Sequence, residues 1–304
     1  MSSKSVAVVG VTGAVGQEML DVLEARDFPL SGIRPLASER SAGKTVQFKG
    51  EELPVEVLGQ DSFSGIDLAL FSAGASISRE YAPLAVDSGA VVVDNSSAFR
   101  MDPEIPLVVP EVNSGAIAGH QGIIANPNCS TIIMVVALQP IQELSPLTRV
   151  VVSTYQAASG AGAKGMDALR RELAGEQLDD SPFPHRLAGN LVPRIDVVQD
   201  DGYTKEELKM TLETRKIMGL GQVPISATCV RVPVERAHSE SIQVSTESPL
   251  DISAIREAFE KAPGLQVIDD PHDDRYPTPL QAADQDDVFV GRLRQHPDEA
   301  ATYD

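Results

Sequence analysis

The chain has 304 residues, is 42% hydrophobic and carries a formal net charge of -19. That length suffices for a full core and is usually divided between two domains. The charge excludes nucleic acid as a partner, the lack of any apolar run of about 18 residues excludes a membrane-spanning helix, and two cysteines are too few for a disulfide framework.

The N-terminus, MSSKSVAVVG, lacks the long apolar stretch of a secretory signal, so a cytoplasmic protein with reduced thiols is expected. VAVVG (6–10) predicts a strand and 14–26 a helix with Val15, Met19, Leu20, Val22 and Leu23 on its apolar side. IRPLA, PVEVL, IDLALFSAG and VVVDNSS follow as strands, with a helix over Ile77–Asp87 and a buried strand in GIIAN (122–126). This alternation predicts a Rossmann-type, doubly wound parallel sheet over residues 1–127.

From about Thr148 the pattern changes. RVVVSTYQAA predicts a strand, Asp179–Tyr203 a long proline-containing loop, and Lys205–Met218 a helix. SATCVRVPV, SIQVSTE and DVFVGRLR then predict strands of a second sheet, with a helix at Ser253–Lys261. Residues 128–304 are therefore expected to form an α+β domain.

Two segments carry chemistry. GVTGAVG places Gly10, Gly13 and Gly16 between a strand and a helix, where small residues let backbone amides approach a pyrophosphate. The end of the second strand reads Ser38-Glu39-Arg40-Ser41: an acid there suits ribose hydroxyls, whereas Arg40 between two serines suits a 2′-phosphate and favours NADP. In GIIANPNCST, Cys129 opens an apolar helix after a turn, where the positive end of the helix dipole favours a thiolate. Cys229, inside the strand SATCVRV, reads as structural. Among five histidines, His120, His185, His272 and His296 lie in loops, while His238 stands between two strands, close behind Arg231.

These segments together resemble the aspartate-β-semialdehyde dehydrogenase family: GVTGAVG, ASERSAGK, FSAGAS, DNSSAFR, VPEVN, NPNCST, YQAASGAG, EELKMTLETRKIMG, CVRVPVERAHSES and DVFVGRLR occur in family order along nearly the whole chain. The resemblance implies NADPH-dependent reductive dephosphorylation of β-aspartyl phosphate through a cysteine thioester, in lysine, threonine and methionine biosynthesis. It assigns Cys129 as nucleophile, His238 as acid/base and Gln156 as the residue orienting the intermediate. It gives Arg231 the substrate carboxylate, Glu206 the amino group, and Lys209, Arg100 and Asn128 the phosphate. For the cofactor it implies Gly10, Thr12, Gly13, Ala14, Val15, Ser38, Arg40, Ser41, Ser72, Ala73, Gly74, Ser159 and Gly160, with no metal.

The resemblance further implies a homodimer or tetramer, with the small-residue loop Gly160–Gly165 near the dimer contact. It implies a final helix beyond the GRLR strand, and the sequence ends at Asp304 without one. Two alternatives stay open on the residues alone: an N-acetyl-γ-glutamyl-phosphate reductase and a catalytically silent paralogue.

Overall fold

The computed structural model describes residues 2–304. The chain forms two compact units, one made of the residues up to Val108 with Gly115–Pro127, the other of Val109–Ser114 with Asn128–Asp304.

The first unit contains, in chain order, β1 (Lys4–Val9), α1 (Ala14–Ala25), β2 (Leu30–Ala37), β3 (Thr45–Phe48), β4 (Glu51–Pro54), β5 (Glu56–Val57), β6 (Leu68–Phe71), α2 (Ala75–Asp87), β7 (Val91–Asp94) and β8 (Ile123–Ala125). Six strands pair in the order β5-β2-β1-β6-β7-β8, all parallel. Val6–Val9 of β1 is an unbroken apolar run because both faces of the strand are covered there. Val6 and Val8 pack with Leu20, Val46 and Phe48, while Ala7 and Val9 pack with Phe63, Phe71 and Val92. The strand order reverses direction between β1 and β6, and ligands of such sheets bind at that switch point.

Sequence pattern and structure differ in two places here. Of the residues expected on the apolar side of α1, Val15 and Val22 are exposed. PVEVL is split between two strands, Glu56–Val57 forming β5 and Pro54 ending β4 of the antiparallel hairpin β3–β4. Its turn residues Lys49 and Gly50 both have positive φ, as a two-residue hairpin loop requires.

The second unit contains α3 (Pro110–Asn113), α4 (Cys129–Leu144), β9 (Leu147–Gln156), α5 (Gly162–Leu173), α6 (Lys205–Met218), β10 (Ile225–Arg231), β11 (Ser239–Thr246), α7 (Ile252–Lys261), β12 (Leu265–Val267), α8 (Pro279–Ala282), β13 (Val288–Val290) and β14 (Thr302–Tyr303). Its main sheet has the order β10-β9-β11-β14, with β10 parallel to β9 and β11 antiparallel to both β9 and β14. DVFVGRLR does not join this sheet. Its strand, β13, pairs in parallel with β12 in a separate two-stranded sheet. The stretch expected as a small-residue loop instead leads into α5, which starts at Gly162.

α4 is apolar nearly all round and buries Met134, Val135, Val136, Leu138 and Ile141. α6 is fixed at both ends. Thr204 and Glu207 form a reciprocal capping box, and Gly219 closes the helix in the left-handed conformation with φ 65°. Between α5 and α6 the proline-containing stretch has no regular element, yet Phe183, Leu187 and Val192 pack with Ala168 and Leu169. The buried Glu172 carboxylate ties it down by accepting from the Leu187 and Ala188 amides at 2.7 and 2.9 Å. No helix among the described residues is long and apolar enough to cross a membrane.

Candidate active site

At the switch point of the first unit the chain turns from β1 into α1 through Gly10, whose φ is +87°. A Cβ on Gly10 would lie 3.0 Å from the Ala73 amide nitrogen, and one on Gly16 would lie 2.4 Å from the Gly10 carbonyl oxygen. Both positions exclude side chains, so the turn after β1 lies against the segment Ser72-Ala73-Gly74 that follows β6. Helix α1 opens with no side-chain cap and no acidic residue in its first turn. A positive helix end without a protein carboxylate, reached over bare backbone, fits a dinucleotide pyrophosphate. Thr12 Oγ1 and Ser41 Oγ are 3.2 Å apart, which joins this turn to the end of β2. Ser38, Glu39 and Arg40 are exposed beside it.

Arg100 is buried in the first unit rather than on its surface. Its guanidinium donates to the carbonyls of Ser96 at 3.0 Å and Asn95 at 2.9 Å. The same turn is organised by Asp94, fully buried, whose carboxylate accepts from the Ser78 hydroxyl and from the amide and hydroxyl of Ser96.

In the second unit Cys129 is the first residue of α4 and is exposed, whereas Cys229 is buried. Asn128 caps the helix. Its Oδ1 accepts from the Ser130 amide at 3.0 Å and the Thr131 amide at 3.2 Å. These two amides are therefore committed to the cap, and a negative oxygen forming beside Cys129 has to be met by other donors. Asn128 Nδ2 donates to Glu206 Oε1 at 2.8 Å, and the Asn128 backbone amide donates to Glu213 Oε2 at 2.6 Å.

Glu206 is the hub of the cluster. Beyond Asn128, its Oε1 accepts from Gln156 Nε2 at 3.4 Å, and its Oε2 pairs with Lys209 Nζ at 3.1 Å. Lys209 also pairs with Asp196 at 2.8 Å. Burial alone would lower the lysine's pKa, but Glu206 and Asp196 more than reverse this and hold it charged. Gln156 ends β9 with 1% exposure. Cys229 has its thiol pushed up to about 12, chiefly by burial, and lies 3.7 Å from the Met210 sulfur.

Arg231, at the end of β10, is 6% exposed. Its Nη1 donates to the Ala157 carbonyl at 2.5 Å, and its guanidinium stands 5.9 Å from the centre of the Phe183 ring. Its backbone is paired with Val192 through amide–carbonyl bonds of 2.8 and 3.0 Å. Burial lowers its pKa, opposed by the negative charges of the Cys129 thiolate and Glu206. Arg231 is thus within electrostatic reach of the Cys129 sulfur.

His238 accepts a hydrogen bond at Nδ1 from the Ala157 amide, 3.1 Å away, so its neutral form carries the proton on Nε2. Burial, then the neighbouring Arg231, depresses its pKa to about 4, with Glu206 acting in the opposite direction. Gly160 lies directly against both groups: a Cβ there would be 2.7 Å from Arg231 Nη1 and 3.1 Å from His238 Nε2. Ser159 is tied to the same region by its amide, which donates to the Glu235 carbonyl.

The structure thus gathers Asn128, Gln156, Glu206 and Lys209 into one hydrogen-bonded network beside Cys129. It gathers Gly160, Arg231 and His238 into a second group, linked to the first through the charges of Glu206 and Cys129. Sequence reasoning missed Glu213, Asp196, Phe183 and Val192. The glycine at 160 was the one visible signal that two side chains crowd a backbone there.

Residues 5–120 match the model of the semialdehyde dehydrogenase NAD binding domain, and residues 138–303 match that of the semialdehyde dehydrogenase dimerisation domain. The aspartate-semialdehyde dehydrogenase of Aquifex aeolicus is 53% identical over 298 residues, covering 95% of this chain and 88% of that protein. That of Bacillus subtilis is 48% identical over 307 residues, covering 97% and 89%. Among solved structures, aspartate semialdehyde dehydrogenase II of Vibrio cholerae complexed with ASA superposes with a TM-score of 0.95 at 42% identity, covering 100% of this chain and 91% of that one. The Candida albicans enzyme with NADP gives 0.76 at 25%, covering 99% and 92%. The chain belongs to the aspartate-semialdehyde dehydrogenase family.

Proposed function

We propose that the protein converts β-aspartyl phosphate to aspartate-β-semialdehyde and phosphate with NADPH, through a thioester on Cys129, and works as a homodimer. The observation that carries this reading is the charge pattern of the second unit. A buried arginine, a buried glutamate and a paired lysine surround the first turn of a helix that exposes a cysteine. The substrate has a carboxylate, an ammonium and an acyl phosphate, so each of its charges has a counterpart. The dimer rests on the dimerisation-domain description of the matching family model. Preference for NADP rests on exposed Arg40 and on the NADP held by the Candida albicans enzyme.

In this reading Arg231 grips the substrate carboxylate as a planar fork. The Ala157 carbonyl and the Phe183 ring fix that fork before substrate arrives. Glu206 receives the substrate ammonium, and Lys209 and Arg100 attend the phosphate. The Cys129 sulfur attacks the acyl carbon, a carbon–sulfur bond forms, and the carbon–oxygen bond to phosphate breaks. When bound, the reduced nicotinamide would supply a hydride to the thioester carbon; the carbon–sulfur bond then breaks, its electron pair returns to Cys129 as thiolate, and the aldehyde leaves. His238, with its proton on Nε2, donates to the oxygen that becomes negative on the reacting carbon, where the capped amides of Ser130 and Thr131 are already occupied. Gln156 orients the same carbon. Thr12, Gly13, Ala14 and Val15 approach the pyrophosphate, and Ser38, Arg40 and Ser41 the adenosine end.

The test is a turnover assay of the purified protein with aspartate-β-semialdehyde, phosphate and NADP, read by appearance of the reduced nicotinamide. NAD and N-acetylglutamate semialdehyde serve as comparisons. Phosphate-dependent reduction of NADP with aspartate-β-semialdehyde is expected. Preference for the N-acetylated aldehyde would overturn the substrate assignment, and no reduction with either aldehyde would overturn the enzymatic one.

Gly160 offers a separate check. Alanine there would press on Arg231 and His238, both anchored to Ala157, so neither can yield freely. Gly160→Ala is expected to lower kcat/KM by about 10- to 100-fold, because small misplacements at a reacting centre are that costly. Steady-state kinetics at matched folding stability would show it.

A further inference from the structure

We infer that Glu213, a buried carboxylate with no assigned role, is a positioning residue that sets the place of the Cys129 sulfur. The inference rests on the reading of Cys129 as nucleophile. Glu206 and Glu213 stand seven residues apart on α6, two helical turns, so both fall on one stripe of that helix. Both reach the same residue. Glu206 takes the side-chain amide of Asn128 at 2.8 Å and Glu213 takes its backbone amide at 2.6 Å. Asn128 immediately precedes Cys129 and caps α4, so its position fixes where the first helical turn begins.

Glu213 has 1% exposure, and a charged carboxylate is expensive to bury without strong donors. A backbone amide at a helix start is such a donor, because it lies at the positive end of the helix. The carboxylate is therefore held in place by the helix it restrains. With Glu213 gone, the Asn128 amide loses this acceptor, and of the two carboxylates of α6 that hold the residue the side-chain contact to Glu206 remains. An error in that position passes to the sulfur one residue on. Arg231, which takes the substrate carboxylate, is anchored on the Ala157 carbonyl instead, and Glu206 keeps its pair with Lys209, so the larger effect is expected in kcat rather than KM.

The experiment compares Glu213→Gln, which keeps an acceptor oxygen, with Glu213→Leu, which removes it, and Glu213→Asp, which withdraws it by one methylene. Each variant is followed by thermal melting, steady-state kinetics and the pH profile of Cys129 alkylation by iodoacetamide, with the modified residue located by mass spectrometry. Glu213→Leu is expected to lower kcat about 100-fold with KM within about threefold, and to shift the alkylation profile. Glu213→Gln is expected to remain near wild type, with Glu213→Asp between the two. If Glu213→Leu fails to fold, the contrast between the Asp and Gln variants decides. A folded Glu213→Leu with wild-type kcat and alkylation profile overturns the inference, as does a Gln variant impaired as far as the Asp variant. Should Cys129 prove dispensable for turnover while its alkylation still responds to Glu213, the catalytic reading fails and the positioning contact stands.

Discussion

Replacing Cys129 by alanine is expected to lower turnover by roughly 10⁴-fold or more, the scale on which covalent enzymes lose rate when their nucleophile is removed. The sulfur is exposed at the first position of α4, and its neighbours Ser130 and Thr131 are hydrogen-bonded to the Asn128 side chain rather than to it. The substitution removes the bond-forming atom without disturbing the cap. It also lies in the second unit, whereas the glycine turn suited to a dinucleotide lies in the first, so NADP binding measured by calorimetry should be unchanged. Cys229 provides an internal control. Its thiol is buried against Met210 and pushed up to about 12, so iodoacetamide should label Cys129 first at neutral pH. Retention of more than about a tenth of wild-type kcat in Cys129→Ala would remove the thioester from the mechanism, since loss of a nucleophile costs far more than that.

The nucleotide-binding half was legible because its constraints are local. Gly10 is required by its own positive φ and Gly16 by the Gly10 carbonyl six residues back, and the apolar run of β1 announces a strand covered on both faces. α6 was equally plain, with Thr204 and Glu207 at one end and Gly219 at the other. What stayed hidden depends on partners distant in sequence. Glu213 reads as one more charge on a solvated helix face, and its burial is explained only by an amide 85 positions away. The apolar run Val288–Val290 does predict a strand, but nothing local says that its partner is Leu265–Val267 rather than the main sheet. Phe183 sits in a stretch without regular structure, so its place beneath Arg231 had no periodicity to announce it. The hairpin β3–β4 is a different failure. Val46 and Phe48 alternate inward and Lys49-Gly50 supplies the turn, but lysine is an unusual first residue for a loop that needs positive φ.

His238→Gln should separate chemistry from acid stability in one variant. Loss of an acid/base group costs about 10²- to 10⁴-fold in kcat, while Cys129 alkylation should persist because the helix start does not rest on this side chain. The pH dependence follows from the depressed pKa. An unfolded histidine titrates near 6.5, whereas burial and Arg231 bring His238 to about 4. Between those values the unfolded chain takes up a proton that the folded protein refuses, so stability rises with pH across this window. His238 therefore imposes no penalty above about pH 6.5 and destabilises increasingly as pH falls toward 4, by an amount on the order of 3 kcal/mol when fully expressed. Urea midpoints at pH 7.5 and pH 5 should differ more for the wild type than for His238→Gln, which has no group to titrate there. An equal loss in both proteins would mean that the imidazole accepts its proton in the folded state. It would then enter the reaction as a cation at acidic pH, and the neutral Nε2 donor assigned to it would not be the species that meets the developing oxygen charge.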